Sequence, residues 1–268
     1  MVAFALLLAV TCYAGAAALA VTPLARPIGP PVQGVVTALT VGVLAHVVAL
    51  AIAGYAAGEL PIAGLGAALS VAGLALGTAL LLAESLARDV TLSLIGGPLA
   101  AGVTAAAVLL GSRPAGQPRG AQGLWLASHV AVSFVGIAAL ATAAAAGALY
   151  LVERRELKSR NFGSVFRSFP PLETLDRVNH LGALAAWVAL TLGIVLAGSY
   201  SVAYGQLEGP QVIWGGVAWL AAGALALGRQ LGGWRARRAA VAATVAFVLV
   251  VASYLATRAL ASRPGHFL

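Results

Sequence analysis

Eight apolar runs, separated by short polar or Gly/Pro-rich breaks, set the rhythm of this chain. They cover roughly residues 2–22, 33–54, 62–83, 90–111, 124–150, 179–199, 212–230 and 239–260. Each is close to the ~20 residues that a helix rising ~1.5 Å per residue needs to cross the hydrocarbon core of a bilayer. The pattern predicts an all-α fold, a polytopic membrane bundle of about eight transmembrane helices. The breaks have local causes. Arg26-Pro27-Ile28-Gly29-Pro30-Pro31 cannot continue a helix, Glu59-Leu60-Pro61, Arg88-Asp89 and the Arg113-to-Arg119 segment read as turns, and Pro170-Pro171 interrupts the longest connection. Inside the fourth run, Gly96-Gly97-Pro98 predicts a kink. The fifth run leads directly into Glu153-Arg154-Arg155-Glu156-Leu157-Lys158, read as the start of a charged loop over about 153–178. That loop is too short to bury a core of its own, so residues 1–268 form one integral membrane domain.

Composition sharpens this. The chain is 61% hydrophobic and 9% charged, with a mean hydropathy of +0.96, whereas soluble domains are about one quarter charged. The net charge of +8 reads as topogenic charge beside anionic lipid, not as a nucleic-acid surface, because no basic patch is interleaved with base-stacking aromatics. If both termini lie outside, Arg26, Arg88, the Arg154-to-Arg177 cluster and the Arg229-to-Arg238 cluster fall inside. They make twelve of the 16 Lys and Arg residues. The positive-inside rule therefore favours an N-out, C-out topology. The single cysteine, Cys12, excludes an internal disulfide and a dithiol redox carrier. The first run has no positive flank and is expected to be a retained helix, not a cleaved leader.

Ionisable groups within spans are costly and are functional candidates by default. His46 lies in the second run, His129 in the fifth, His180 at the start of the sixth and His266 in the tail. Imidazoles from separate helices can clamp haem iron. Each taken alone can equally be a hydrogen-bonded packing residue, and His180 beside Asn179 is most simply a polar helix start. Carboxylates look confined to the rims: Glu84 ends the third run and Glu208 sits in the 200–211 loop. No phosphate-binding loop, zinc-protease motif or serine-nucleophile motif is present. Tyr200, Tyr204 and Trp214 bracket one outer loop and could stack on a porphyrin, although an interfacial aromatic belt also explains them.

Several ordered motifs carry a family resemblance. Trp125-x-x-x-His129 is followed by Leu149-Tyr150-Leu151-Val152-Glu153-Arg154-Arg155-Glu156-Leu157-Lys158, similar to LYLxQERxLK. Pro171-Leu172-Glu173-Thr174-Leu175-Asp176 resembles LPSLExLD. Leu190-Thr191-Leu192-Gly193-Ile194, Arg229, Gly233-Trp234-Arg235 and Arg237-Arg238-Ala239 complete the series. Together they resemble the haem-handling membrane proteins of cytochrome c assembly, the CcsA/CcmC/HemX group, over residues 124–268. The resemblance implies an outer-face haem held by histidines at positions like His129 and His266. The family's tryptophan-rich loop is represented here by Gln206, Glu208 and Gly209, and the histidine of its LHxR motif by Leu227. This points to the HemX-like branch.

The expectation is a multi-pass protein of a bacterial inner membrane that binds and hands over b-type haem, and is not a complete cytochrome c synthase. His129 and His266, or His46, would be axial ligands, with Tyr200, Tyr204 and Trp214 as walls. An alternative is a haem-free scaffold whose basic inner segment, Arg154, Arg155 and Lys158, docks a cytochrome c assembly partner or a haem-biosynthesis enzyme such as glutamyl-tRNA reductase. A transporter reading has only the Gly96-Gly97-Pro98 break in its favour.

Overall fold

In the computed structural model, residues 1–25, 30–58, 61–62, 64–111, 120–160, 163, 168–205 and 209–260 are described. His266, Gln206, Glu208 and the 112–119 connection lie outside them. Among the described residues there are eight helices and no strand: α1 (Val2–Ala25), α2 (Val32–Ala57), α3 (Leu65–Ala87), α4 (Ser93–Leu110), α5 (Gly120–Ser159), α6 (Leu172–Tyr204), α7 (Gly209–Gln230) and α8 (Ala236–Leu260). All eight contain a stretch long and apolar enough to cross a membrane. The chain is a multi-pass membrane protein.

The helices form two antiparallel groups, α1–α4 and α5–α8, joined chiefly where α3 lies against α5. Helix α5 is the central element, with 61% of its apolar window buried against 28–39% for the other seven. Its sequence explains this: Ala138, Ala141, Ala143, Ala144, Ala145, Ala146 and Gly147 give it a thin waist that neighbours can approach from several sides. Between helices in lipid there is little hydrophobic drive, so close backbone approach through small residues supplies the dispersion contacts. Tyr13, fully buried, shows the same principle in the first group. Its ring is wedged between Gly42 and Gly77, where an added Cβ would come within 2.8 Å and 2.5 Å of it.

Two expectations about helix ends need correction. The charged stretch after residue 150 is not a loop: α5 continues to Ser159. Glu, Arg, Leu and Lys are all good helix formers, and hydropathy marks the end of the membrane, not the end of the helix. Helix α6 begins at Leu172, directly after Pro171, instead of near 179. Pro171 holds an extended backbone at φ −50° and ψ 141°, and its fixed φ suits the residue leading into a first turn. Helix α4 runs from Ser93 to Leu110 with Pro98 inside it. The two glycines before Pro98 serve packing: a Cβ on Gly96 would meet Leu80 of α3 at 2.9 Å, and one on Gly97 would meet Ala17 of α1 at 2.9 Å.

Replacing Gly77 by Leu should therefore destabilise the bundle by about 1–3 kcal/mol through overpacking against Tyr13. Gly15→Leu, at a position with nothing within 4 Å of an added Cβ, should leave it nearly unchanged. Unfolding of both variants in detergent, followed by circular dichroism, checks the contrast.

Candidate functional site

The antiparallel order places two kinds of chemistry at opposite ends of the bundle. The starts of α5 and α7 and the ends of α6 and α8 gather Trp125, Tyr200, Tyr204, Trp214 and Tyr254, an aromatic end. The opposite, basic end carries Arg154, Arg155 and Lys158, exposed on the last turns of α5, together with the α7–α8 arginines.

His129 sits on the α5–α6 seam, nine residues into α5 and therefore about 13 Å along it. Its Nδ1–H donates to the backbone carbonyl of Gly193 at 2.8 Å. A carbonyl can only accept, so this bond fixes the proton of the neutral imidazole on Nδ1 and leaves Nε2 with its lone pair. The ring is half-buried. One turn toward the aromatic end on α5 lies Trp125, and two turns beyond Gly193 on α6 lies Tyr200. Trp125 and Tyr204 meet edge to face with centroids 6.1 Å apart, and Tyr204 and Tyr200 lie 4.9 Å apart. Gln122 Nε2 donates to the Tyr200 hydroxyl at 2.9 Å. An imidazole whose Nε2 has no hydrogen-bond partner among the described residues, with a cluster of three aromatic rings further toward the same end, is the candidate site.

The other sequence candidates are distributed as follows. Tyr200 and Tyr204 belong to this cluster. Trp214 stands on α7 and pairs with Tyr254 of α8 at 5.3 Å, while its Nε1–H donates to the Val250 carbonyl at 3.1 Å. His46 is in the other helix group, fully buried, with Nε2 3.0 Å from Ser70 Oγ and Nδ1 3.5 Å from the Tyr13 hydroxyl. Both of its nitrogens have neighbours, and the helices around it are α1 and α3, not α6. His266 is outside the described residues. His180 is half-buried at the basic end, its Nδ1 without a partner among the described residues.

Sequence reading missed three features. Trp125, which the Trp125-x-x-x-His129 motif places one turn before the imidazole, also meets Tyr204 edge to face, a contact the sequence did not show. Glu84 and Glu153 are buried although they stand at or just past the ends of their apolar runs. Glu84 Oε1 accepts the Ser93 N–H at 2.5 Å and thereby caps the start of α4. Its Oε2 and that of Glu153 have no partner among the described residues. The available signal was helical periodicity: Ser70, Gly73, Gly77, Leu80 and Glu84 recur on one face of α3, all of it buried apart from the edges.

At the basic end, Arg229 of α7 makes a two-pronged pair with Asp176 of α6: Nη1 to Oδ1 at 2.8 Å, Nη2 to Oδ2, and Nη1 to the Asp176 carbonyl at 3.2 Å. The side chains are 20% and 22% exposed, so the pair is largely shielded from screening. Asn179 Nδ2, one turn further on, donates to the Ala143 carbonyl at 2.7 Å. Thus the residues of the acidic and arginine motifs lock α5, α6 and α7 together.

These features define a polytopic membrane bundle with a half-buried, hydrogen-bonded histidine toward one end. The family model for cytochrome c assembly proteins matches residues 2–263. The chain belongs to that family, and its role is haem handling in cytochrome c biogenesis. The match includes α1–α4, where no motif had been legible. Comparison with curated proteins returns no match.

Asp176→Ala should cost about 1–2 kcal/mol, since it strands a guanidinium that had two carboxylate partners. Asp176→Ala combined with Arg229→Met should cost less than the two single losses together. A double-mutant cycle on detergent unfolding midpoints measures the coupling.

Proposed function

We propose that this protein holds b-type haem at the aromatic, non-cytoplasmic end through His129, as a HemX-like member of its family, and passes it on without catalysing thioether formation. The observation that carries the reading is the His129 Nδ1–H bond to the Gly193 carbonyl, which is the usual arrangement behind a metal-ligating imidazole. The residues fit the group: Nε2 is free to coordinate, and Trp125, Tyr200 and Tyr204 offer flat apolar faces nearby. Bound haem would supply an iron centre whose coordination provides affinity. His129 would supply one ligand to the iron, its ring oriented by the Gly193 carbonyl, and the aromatic cluster would limit water access. His266 is the proposed second ligand, following the family ending that Pro264-Gly265-His266-Phe267-Leu268 resembles. His46 is the weaker alternative, because Ser70 and Tyr13 flank both of its nitrogens. Trp214 is the proposed outer wall on α7. The orientation rests on the Lys and Arg excess at the other end, and the location is a bacterial inner membrane with lipid as the surrounding partner.

Hemin added to the detergent-purified protein should give a low-spin Soret band, and His129→Ala should weaken hemin binding about tenfold or more. A colourless preparation from haem-replete cells with no spectral response to hemin removes this reading.

A second reading is favoured by the exposure of Arg154, Arg155 and Lys158 on a helix that extends past the apolar span. They would dock an acidic surface of a cytoplasmic partner, such as glutamyl-tRNA reductase or a cytochrome c assembly component. Reversing the three charges should abolish co-purification of that partner. Unchanged recovery eliminates the docking role.

A further inference from the structure

Beside His129, α5 and α6 come as close as their side chains allow. A Cβ built on Gly193 would lie 2.6 Å from Ser133 Oγ, but 3.6 Å from Ser133 Cβ. Ser133 is one turn from His129 on the same face of α5. The spacing of the seam at this level is therefore set by a hydrogen atom at position 193 meeting a hydroxyl at position 133. The same glycine presents the carbonyl that takes the imidazole proton at 2.8 Å. That oxygen lies inside α6, where it also accepts the bond of the helix ladder, and its second lone pair is the one left for the ring.

We infer that Gly193 is the positioning residue for His129: its missing side chain brings α6 within reach of the ring, and its carbonyl selects the tautomer that presents Nε2. This rests on the reading of His129 as a haem ligand, but the tautomer itself exists without haem. Any side chain at 193 must displace the Ser133 hydroxyl or part the helices. A shift of only about half an ångström takes the bond beyond the ordinary N–H···O range. The imidazole then loses both its orientation and the electron density that N–H donation lends to Nε2.

Two readouts on the full chain in detergent test this, using ¹⁵N-histidine labelling and hemin titration. In the haem-free wild type, the His129 signal, assigned by its loss in His129→Ala, should be that of the Nδ1–H tautomer. Gly193→Ala should mix the tautomers and weaken hemin binding about tenfold or more. Gly193→Ala with Ser133→Ala should restore both, because the new methyl then meets only a Cβ at ordinary contact distance. Ser133→Ala alone should leave both unchanged. Retention of the wild-type tautomer in Gly193→Ala overturns the inference, as does a double variant that melts like wild type yet recovers neither readout. Failure of the wild type to bind hemin removes the haem reading instead, and the tautomer measurement still decides the role of Gly193.

Discussion

Inside a bilayer no water is available to a stranded donor or acceptor, and lipid tails are as apolar as leucine. Both facts press on this molecule at once. Helices must be held by contact, and every buried polar group must find a partner from a neighbouring helix. The α5–α6 seam meets both demands with the same residues. Gly136, Gly182 and Gly193 let the backbones approach, and at that separation Asn179 reaches the Ala143 carbonyl and His129 reaches the Gly193 carbonyl. Widening the seam would unsatisfy the polar groups as well as cost dispersion energy.

The two helix groups use the constraint differently. In the first, glycines surround one large ring, Tyr13, and a closed set of hydrogen-bonding neighbours forms around His46. In the second, the imidazole of His129 is held through one nitrogen among the described residues, and an aromatic cluster from two helices lies further toward the same end. The family match spans both groups, from residue 2 to residue 263.

Much of the fold was legible in the sequence because a span leaves a long, simple mark: about 20 apolar residues between breakers. Helix ends were not, since a helix does not stop where lipid stops. Thus α5 passes through Glu153-Arg154-Arg155 and α6 starts seven residues before its apolar run. Among the site residues, the chemistry of His129 could be suspected from its type and place. Its partner could not, because a backbone carbonyl 64 residues away carries no sequence signature. Trp125 was visible as a tryptophan near a membrane edge, and only tertiary structure distinguishes a belt from a cluster. Glu84 and Glu153 stand at or just past the ends of apolar runs, where the sequence does not say which way a side chain turns, and helical rotation turns these two inward.

One rod joins the two ends. Helix α5 has 40 residues, about 60 Å of continuous helix at ~1.5 Å per residue, twice the hydrocarbon thickness. The imidazole near its beginning and the cationic turns near its end are thus parts of a single stiff shaft. A reorientation of this one axis therefore moves the His129 ring and the Arg154, Arg155 and Lys158 turns together.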